Sequence, residues 1–185
     1  MNRTWNVRLG GVAMLALLTA PHLYAQDAPE VLASLRDDFR RQKGNVVRMV
    51  AAMPEAGLRT APTEGVRDFA QQIEHIVQGN MGIVGSGMDH PVRISGFDPE
   101  VYLNSKEELT RFVEAGFDAV DTMLAAMTPE DLHREASLFG QAMVPKWKLI
   151  QTAYEHGVWT LGATVPYVRL QGGTPPAYNL IPGSG

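Results

Sequence analysis

Apolar residues recur every three or four positions through four long segments of the chain, and nowhere do they alternate with polar residues over a useful length. That spacing winds an apolar stripe along an α-helix and offers no half-buried strand, so the expected fold class is all-α. The first segment runs from about Pro29 to Met53 on Val31, Leu35, Phe39, Val46, Val47 and Val50, with Gly44 inside it and Pro54 closing it. The second opens near Thr63, a plausible N-cap, and carries Phe69, Ile73, Ile76, Val77 and Val84. Glycines 79, 82, 85 and 87 thin its far end; they either admit a close neighbour or, more simply, let the helix fray. The third opens on Ser105-Lys106-Glu107-Glu108, a capping-box pattern, and continues through Leu109, Phe112, Val113, Phe117, Val120, Leu124 and Met127. The fourth spans about Gly140 to Leu170, with Met143, Trp147, Ile150, Tyr154, Leu161, Val165 and Val168 on its stripe and a kink expected at Pro166. Gly172-Gly173 and then Pro175-Pro176 stop it.

Residues 87–104 carry Pro91, Gly96 and Pro99 without periodicity, whereas the other two connections read as short, with one extra turn at Thr128-Pro129-Glu130-Asp131. Short, long, short connections predict a four-helix bundle, up-down-down-up, with a long crossover between helices 2 and 3. A chain of this size buries roughly 70% of its unfolded surface, enough to fold without a metal.

The first 25 residues read as a secretory signal peptide. Arg3 and Arg8 precede the apolar run 10–20, and Leu23-Tyr24-Ala25 resembles a cleavage site that leaves Gln26 as the first residue of a 26–185 domain. The apolar run falls short of the ~20 residues a membrane span requires, so no stable anchor is expected after cleavage, and the protein is expected in the periplasm or secreted. The chain has no cysteine, which excludes disulfides, a thiol nucleophile and Cys-ligated metal. A formal net charge of -4 gives no basic footprint for nucleic acid.

Of the remaining histidines, His75 lies in the second helix and His156 in the fourth, with His90 and His133 in connections. At 100° per residue His156 is off the main stripe, on a second row with Leu149, Ala153, Thr160, Ala163 and Tyr167 within about 60° of it. Such a helix is buried on two sides. The simplest role for each helical histidine is a half-buried side chain satisfied by one hydrogen bond. A metal site needs three protein ligands, and two on one helix stand at i and i+4; position 160 holds threonine. Glu74 and Glu155 point some 100° away from their neighbouring histidines. Asp89 and His90 read as a solvated pair. Gly82-Ile83-Val84-Gly85-Ser86-Gly87 follows no strand and lacks the lysine of a phosphate loop. The nine methionines sit at helical spacing, as core filler. Trp147 falls on the core stripe, and Trp159 either borders the histidines or packs on the first helix.

Almost the whole of residues 26–185 resembles the DinB family of bacterial helical bundles. The resemblance is carried by Phe39-Arg40-Arg41-Gln42-Lys43-Gly44-Asn45, the Ala52-Met53-Pro54-Glu55 stop, residues 66–76 with His75, and His156 through Tyr167-Val168-Arg169-Leu170-Gln171-Gly172-Gly173-Thr174-Pro175-Pro176. It implies a divalent metal, zinc or nickel, held by one histidine of the second helix and two of the fourth, in proteins that include thiol transferases and metal-dependent hydrolases. His75 and His156 match the first two ligands, Thr160 stands at the third, and Ala163 replaces a usual glutamine. Two function classes follow. One is an exported metal or small-molecule pocket between helices 2 and 4, a degenerate hydrolase or transferase. The other is a non-catalytic ligand-binding bundle, or a structural homodimer, with a decayed site.

Overall fold

The computed structural model describes residues 20–181, with side chains from residue 29 onward; the Arg3/Arg8 start and most of the apolar run of the expected leader lie outside the described residues. Four long helices carry the fold: α1 (Ala20–Ala52), α2 (Phe69–Gly85), α4 (Lys106–Ala125) and α5 (Lys146–Ala163). Shorter pieces are α3 (Pro99–Tyr102), α6 (Val165–Leu170) and the strands β1 (Glu135–Leu138) and β2 (Ala142–Pro145).

Residue pairs give the helix directions. Arg36 with Asp121 and Lys106 with the Ala51 carbonyl set α1 antiparallel to α4. Phe39 against Tyr154, and Gln42 against Gly157, set α1 parallel to α5. Gly116 lies against Val77 and Gly85 near Met123, so α2 and α4 are parallel. Gly79 under His156 and Gly87 near Leu149 make α2 and α5 antiparallel. α1 and α2 stand across the bundle, where the Asn80 amide donates to Gln42 at 2.7 Å and Gln42 donates in turn to the Tyr154 carbonyl. Both amides are buried in an otherwise apolar core built on Val46, Val50, Ile73, Ile76, Leu124 and Ile150.

The structure corrects several expectations. All three connections are long, not one: residues 53–68, 86–105 and 126–145 each hold a short element of their own and drive a buried anchor, Leu58, Leu103 and Leu132 respectively, into the core. The segment read as the start of the fourth helix is a β-hairpin. Ala136 pairs with Val144 and Leu138 with Ala142 around a turn in which Phe139 (φ 51°) and Gly140 (φ 74°) are both left-handed. Two successive positive φ values match the right-handed twist of a tight hairpin. Ala136, Leu138 and Val144 pack against the core, an alternation too short to read as a strand. Met143 and Trp147, assigned to the core stripe, are exposed, as is Val31. Trp159 is 82% exposed and packs on nothing in the interior. α2 does not fray: it continues as a helix through Gly79 and Gly82 to Gly85. Pro166 ends α5 and starts α6 rather than bending one continuous helix.

Other local expectations match the structure. Ser105 caps α4 by accepting from the Glu108 amide, and Thr128 opens a 3₁₀ turn in a reciprocal capping box with Asp131. At the end of α6 Gly173 N–H bonds the Val168 carbonyl, and Gly172 N–H, with φ 74°, bonds Arg169. This is the paired closure that lets glycine stop a helix. Beyond it the tail returns along α1. The Asn45 side chain both donates to the Asn179 carbonyl (3.1 Å) and accepts from its N–H (2.8 Å), Arg41 donates to the Leu180 carbonyl, and the Tyr154 and Tyr178 hydroxyls meet.

Glycines on two faces of the bundle make opposite predictions. A Cβ at Gly116 would sit 2.2 Å from Val77 Cγ1, a stiff branched side chain on the facing helix, whereas a Cβ at Gly82 meets nothing within 4 Å. Gly116→Ala is expected to cost about 1–3 kcal/mol. Gly82→Ala is expected to stabilise by up to about 1 kcal/mol through helix propensity. Urea unfolding of the two variants beside the parent checks both signs.

Candidate histidine site

α2 starts at Phe69, not near Thr63, because Asp68 accepts from the Gln71 amide while Gln71 reaches back to the Asp68 N–H. Arg59 bonds the second carboxylate oxygen of Asp68 at 2.7 Å and fixes the cap to the preceding turn. Two turns into this helix stands His75. Facing it from α5 is His156, whose ring lies over Gly79: a Cβ there would fall 2.3 Å from His156 Cε1. The missing side chain of Gly79 thus makes the space for the imidazole, the close approach that its spacing offered as the alternative to fraying.

The structure brings the two expected histidines together. Their Nε2 atoms are 3.2 Å apart, with rings edge to face at 82° and centroids 4.8 Å apart. It does not bring the third position in. The Thr160 hydroxyl donates to the carbonyl of His156 itself at 2.9 Å, so it is occupied within its own helix. Glu74 turns the other way and accepts from the Tyr102 hydroxyl and from Gln78, and Glu155 accepts from Gln151. His90 and His133 are exposed in their connections, as is Asp89. Among the described residues no group of three or more His, Asp or Glu side chains is placed to share an ion.

Burial is the main cause that holds both imidazoles below the ordinary histidine range, and the Arg67 guanidinium is the next cause for each. Both are therefore favoured as neutral rings. A neutral pair shares one proton between the two Nε2 atoms. His156 Nδ1 is buried and has no hydrogen-bond partner among the described residues. A bare ring acceptor there costs less than an orphaned N–H, which assigns the shared proton to His156 Nε2 as donor and His75 Nε2 as acceptor. Arg67 was not singled out by its position in the sequence; nothing in a linear reading links it to residues on two helices.

Two imidazole nitrogens bound about 2.0–2.1 Å from one tetrahedral ion stand about 3.3 Å apart. The observed Nε2 separation therefore suits an ion as well as it suits a hydrogen bond. The rest of the donor set fits less well. A ligating imidazole usually donates its other N–H to a carboxylate or carbonyl, and His156 Nδ1 has no such acceptor. The residues fit a two-imidazole site of low affinity.

In metal-free protein the depressed histidine values give a definite pH dependence. The unfolded chain takes up protons near the ordinary value of 6.5, and the folded chain only at lower pH. Stability is thus full above pH 6.5 and declines as pH falls through 6.5 towards the folded values. The slope is at most about 1.4 kcal/mol per pH unit for each histidine. Thermal melts between pH 5 and 7.5 are expected to show this decline, and His75→Ala/His156→Ala is expected to flatten it.

Comparison with known proteins agrees with this arrangement at the level of the fold. A family model described as the DinB superfamily matches residues 38–162. A DinB-like protein of Bacillus subtilis superposes with a TM-score of 0.64 at 20% identity, over 79% of this chain and 97% of that one. A DinB-like protein of Bacillus cereus gives a TM-score of 0.62 at 17% identity, over 76% and 92% of the two chains. No curated protein matches the sequence. The chain belongs to the DinB superfamily.

Proposed function

We propose that the protein is an exported DinB-superfamily bundle whose α2–α5 histidine pair takes a divalent ion, zinc or nickel, weakly and with open positions for a small-molecule ligand. The observation that carries this reading is the facing pair of Nε2 atoms on two buried, neutral-favoured imidazoles. His75 and His156 would be the protein ligands. An ion held there would supply a Lewis acid able to acidify a bound water, the chemistry of a metal-dependent hydrolase or transferase. The Thr160 hydroxyl is held by the His156 carbonyl, so the ion would draw its remaining ligands from solvent or from the bound molecule. Export rests on the charged start and apolar run of the first 25 residues.

A second reading has its own support. With Thr160 bonded to its own helix and His156 Nδ1 without an acceptor, the pair also works as a simple His–His hydrogen bond in a bundle that binds ligands or a second copy without catalysis.

Metal content by mass spectrometry separates the two. Tag-free protein incubated with zinc or nickel is expected to retain up to one equivalent, and the His75→Ala/His156→Ala variant none. Thr160→His adds an imidazole at i+4 from His156 and is expected to tighten binding at least about tenfold, in line with what a lost or gained ligand contact is worth. Retention of no metal by the parent, with its helical circular dichroism intact, overturns the metal reading and leaves the second.

A further inference from the structure

Crossover residues 86–98 fold back over α2 and α4, away from the histidine pair. Val92 and Ile94 pack against the core, and Pro91 sits 3.2 Å from where a Gly85 Cβ would be. Phe97 meets Phe112 edge to face at 5.5 Å, and Phe112 stacks flat on Tyr102 at 4.2 Å. These contacts hold the crossover at its two ends and leave a cavity of about 610 Å³ between it and the helices. That volume is in the range of small-molecule sites. Gly82 explains why it is open: nothing lies within 4 Å of the place a side chain would start.

Met81, Phe112, Val92 and Ile94 give the cavity apolar walls. Its neutral polar groups are engaged, Gln78 with Glu74 and the Ser86 hydroxyl with the Ile83 carbonyl. The only charged side chain among its lining residues is Arg93, and no carboxylate lines it. Elsewhere Arg36, Arg41, Arg59, Arg111 and Arg134 each have an acidic partner. Arg93 has no hydrogen-bond or ion-pair partner among the described residues.

We propose that this cavity is a second ligand site, separate from the histidine pair, and that it takes a small amphipathic organic monoanion whose apolar body fills the cavity and whose carboxylate meets Arg93. A free guanidinium at the edge of an acid-free apolar cavity favours one negative charge, and a planar fork suits a carboxylate. The inference does not depend on the function proposed for the histidines.

Octanoate is the probe, with octanamide as its uncharged counterpart, and the methyl signal of Met81 in methionine-labelled protein is the readout. Octanoate is expected to shift that signal saturably. Arg93→Gln, a surface change, is expected to weaken octanoate about tenfold, the order of one charge-assisted contact, and to leave octanamide unchanged. Gly82→Leu fills the open position and is expected to abolish both shifts while the fold persists by circular dichroism. His75→Ala/His156→Ala is expected to bind octanoate like the parent. The proposal is overturned if octanoate gives no saturable shift at millimolar concentration, if Arg93→Gln binds it as well as the parent, or if folded Gly82→Leu still binds it.

Discussion

The approach of α5 to α2 and α1 at two adjacent residues, His156 and Gly157, is the constraint on which the interior depends. At 156 a large ring projects onto a glycine of α2; at 157 a glycine of α5 receives the buried Gln42 side chain from α1. The two contacts interlock in opposite senses, bulk into gap and gap around bulk. They leave little freedom for α5 to slide or rotate, because a protein core has no spare volume to absorb the shift. Gln42 then reaches Asn80, so α1, α2 and α5 are tied through one polar chain in an apolar core. Such a chain is costly unless satisfied, which makes it a device for register. The Asn80 carbonyl oxygen is its one member without a partner.

The outer pairs do a different job. Arg36 bonds Asp121 through two nitrogens, and Lys43 reaches Asp118, all on the α1–α4 seam. The Lys43–Asp118 pair is largely exposed and contributes little to stability, whereas the part-buried, two-point Arg36–Asp121 pair fixes the seam more firmly. The seam between α2 and α4 is set instead by Gly116 against Val77, where a missing side chain lets the helices close. Glycine thus recurs at the α2–α4, α2–α5 and α1–α5 crossings, whereas the α1–α4 seam is set by ion pairs.

Much of this was legible in the sequence, for identifiable reasons. The helical stripes of α1, α2 and α4 follow a period that burial enforces, and the caps at Ser105 and Thr128 and the stop at Gly172-Gly173 are local chemistry visible within four residues. The hairpin was not legible, because four-residue strands carry too few alternations to outweigh the helical pattern that follows them. The start of α2 was misplaced because Thr63 and Asp68 both read as caps; the Asp68–Gln71 capping box, held to the preceding turn by Arg59, is the one that forms. For the site, residue type pointed to His75 and His156, and the fold brings them together. Their separation and the charge of Arg67 depend on how two helices cross, which no local pattern encodes.

The tail that returns along α1 has a consequence for how the chain is made. Asn45 lies in the first helix of the bundle, yet besides Arg48 of its own helix its buried amide bonds both backbone groups of Asn179, 134 residues later. A ribosome-bound chain that already contains α1, α2, α4 and α5 still lacks those partners. The Asn45 side-chain N–H that α1 presents on that side lacks its Asn179 acceptor until the tail has emerged. Contacts this distant in sequence close late and at an entropic cost. One side of α1 is therefore closed only by the tail, however early the helix itself packs against α4 and α5.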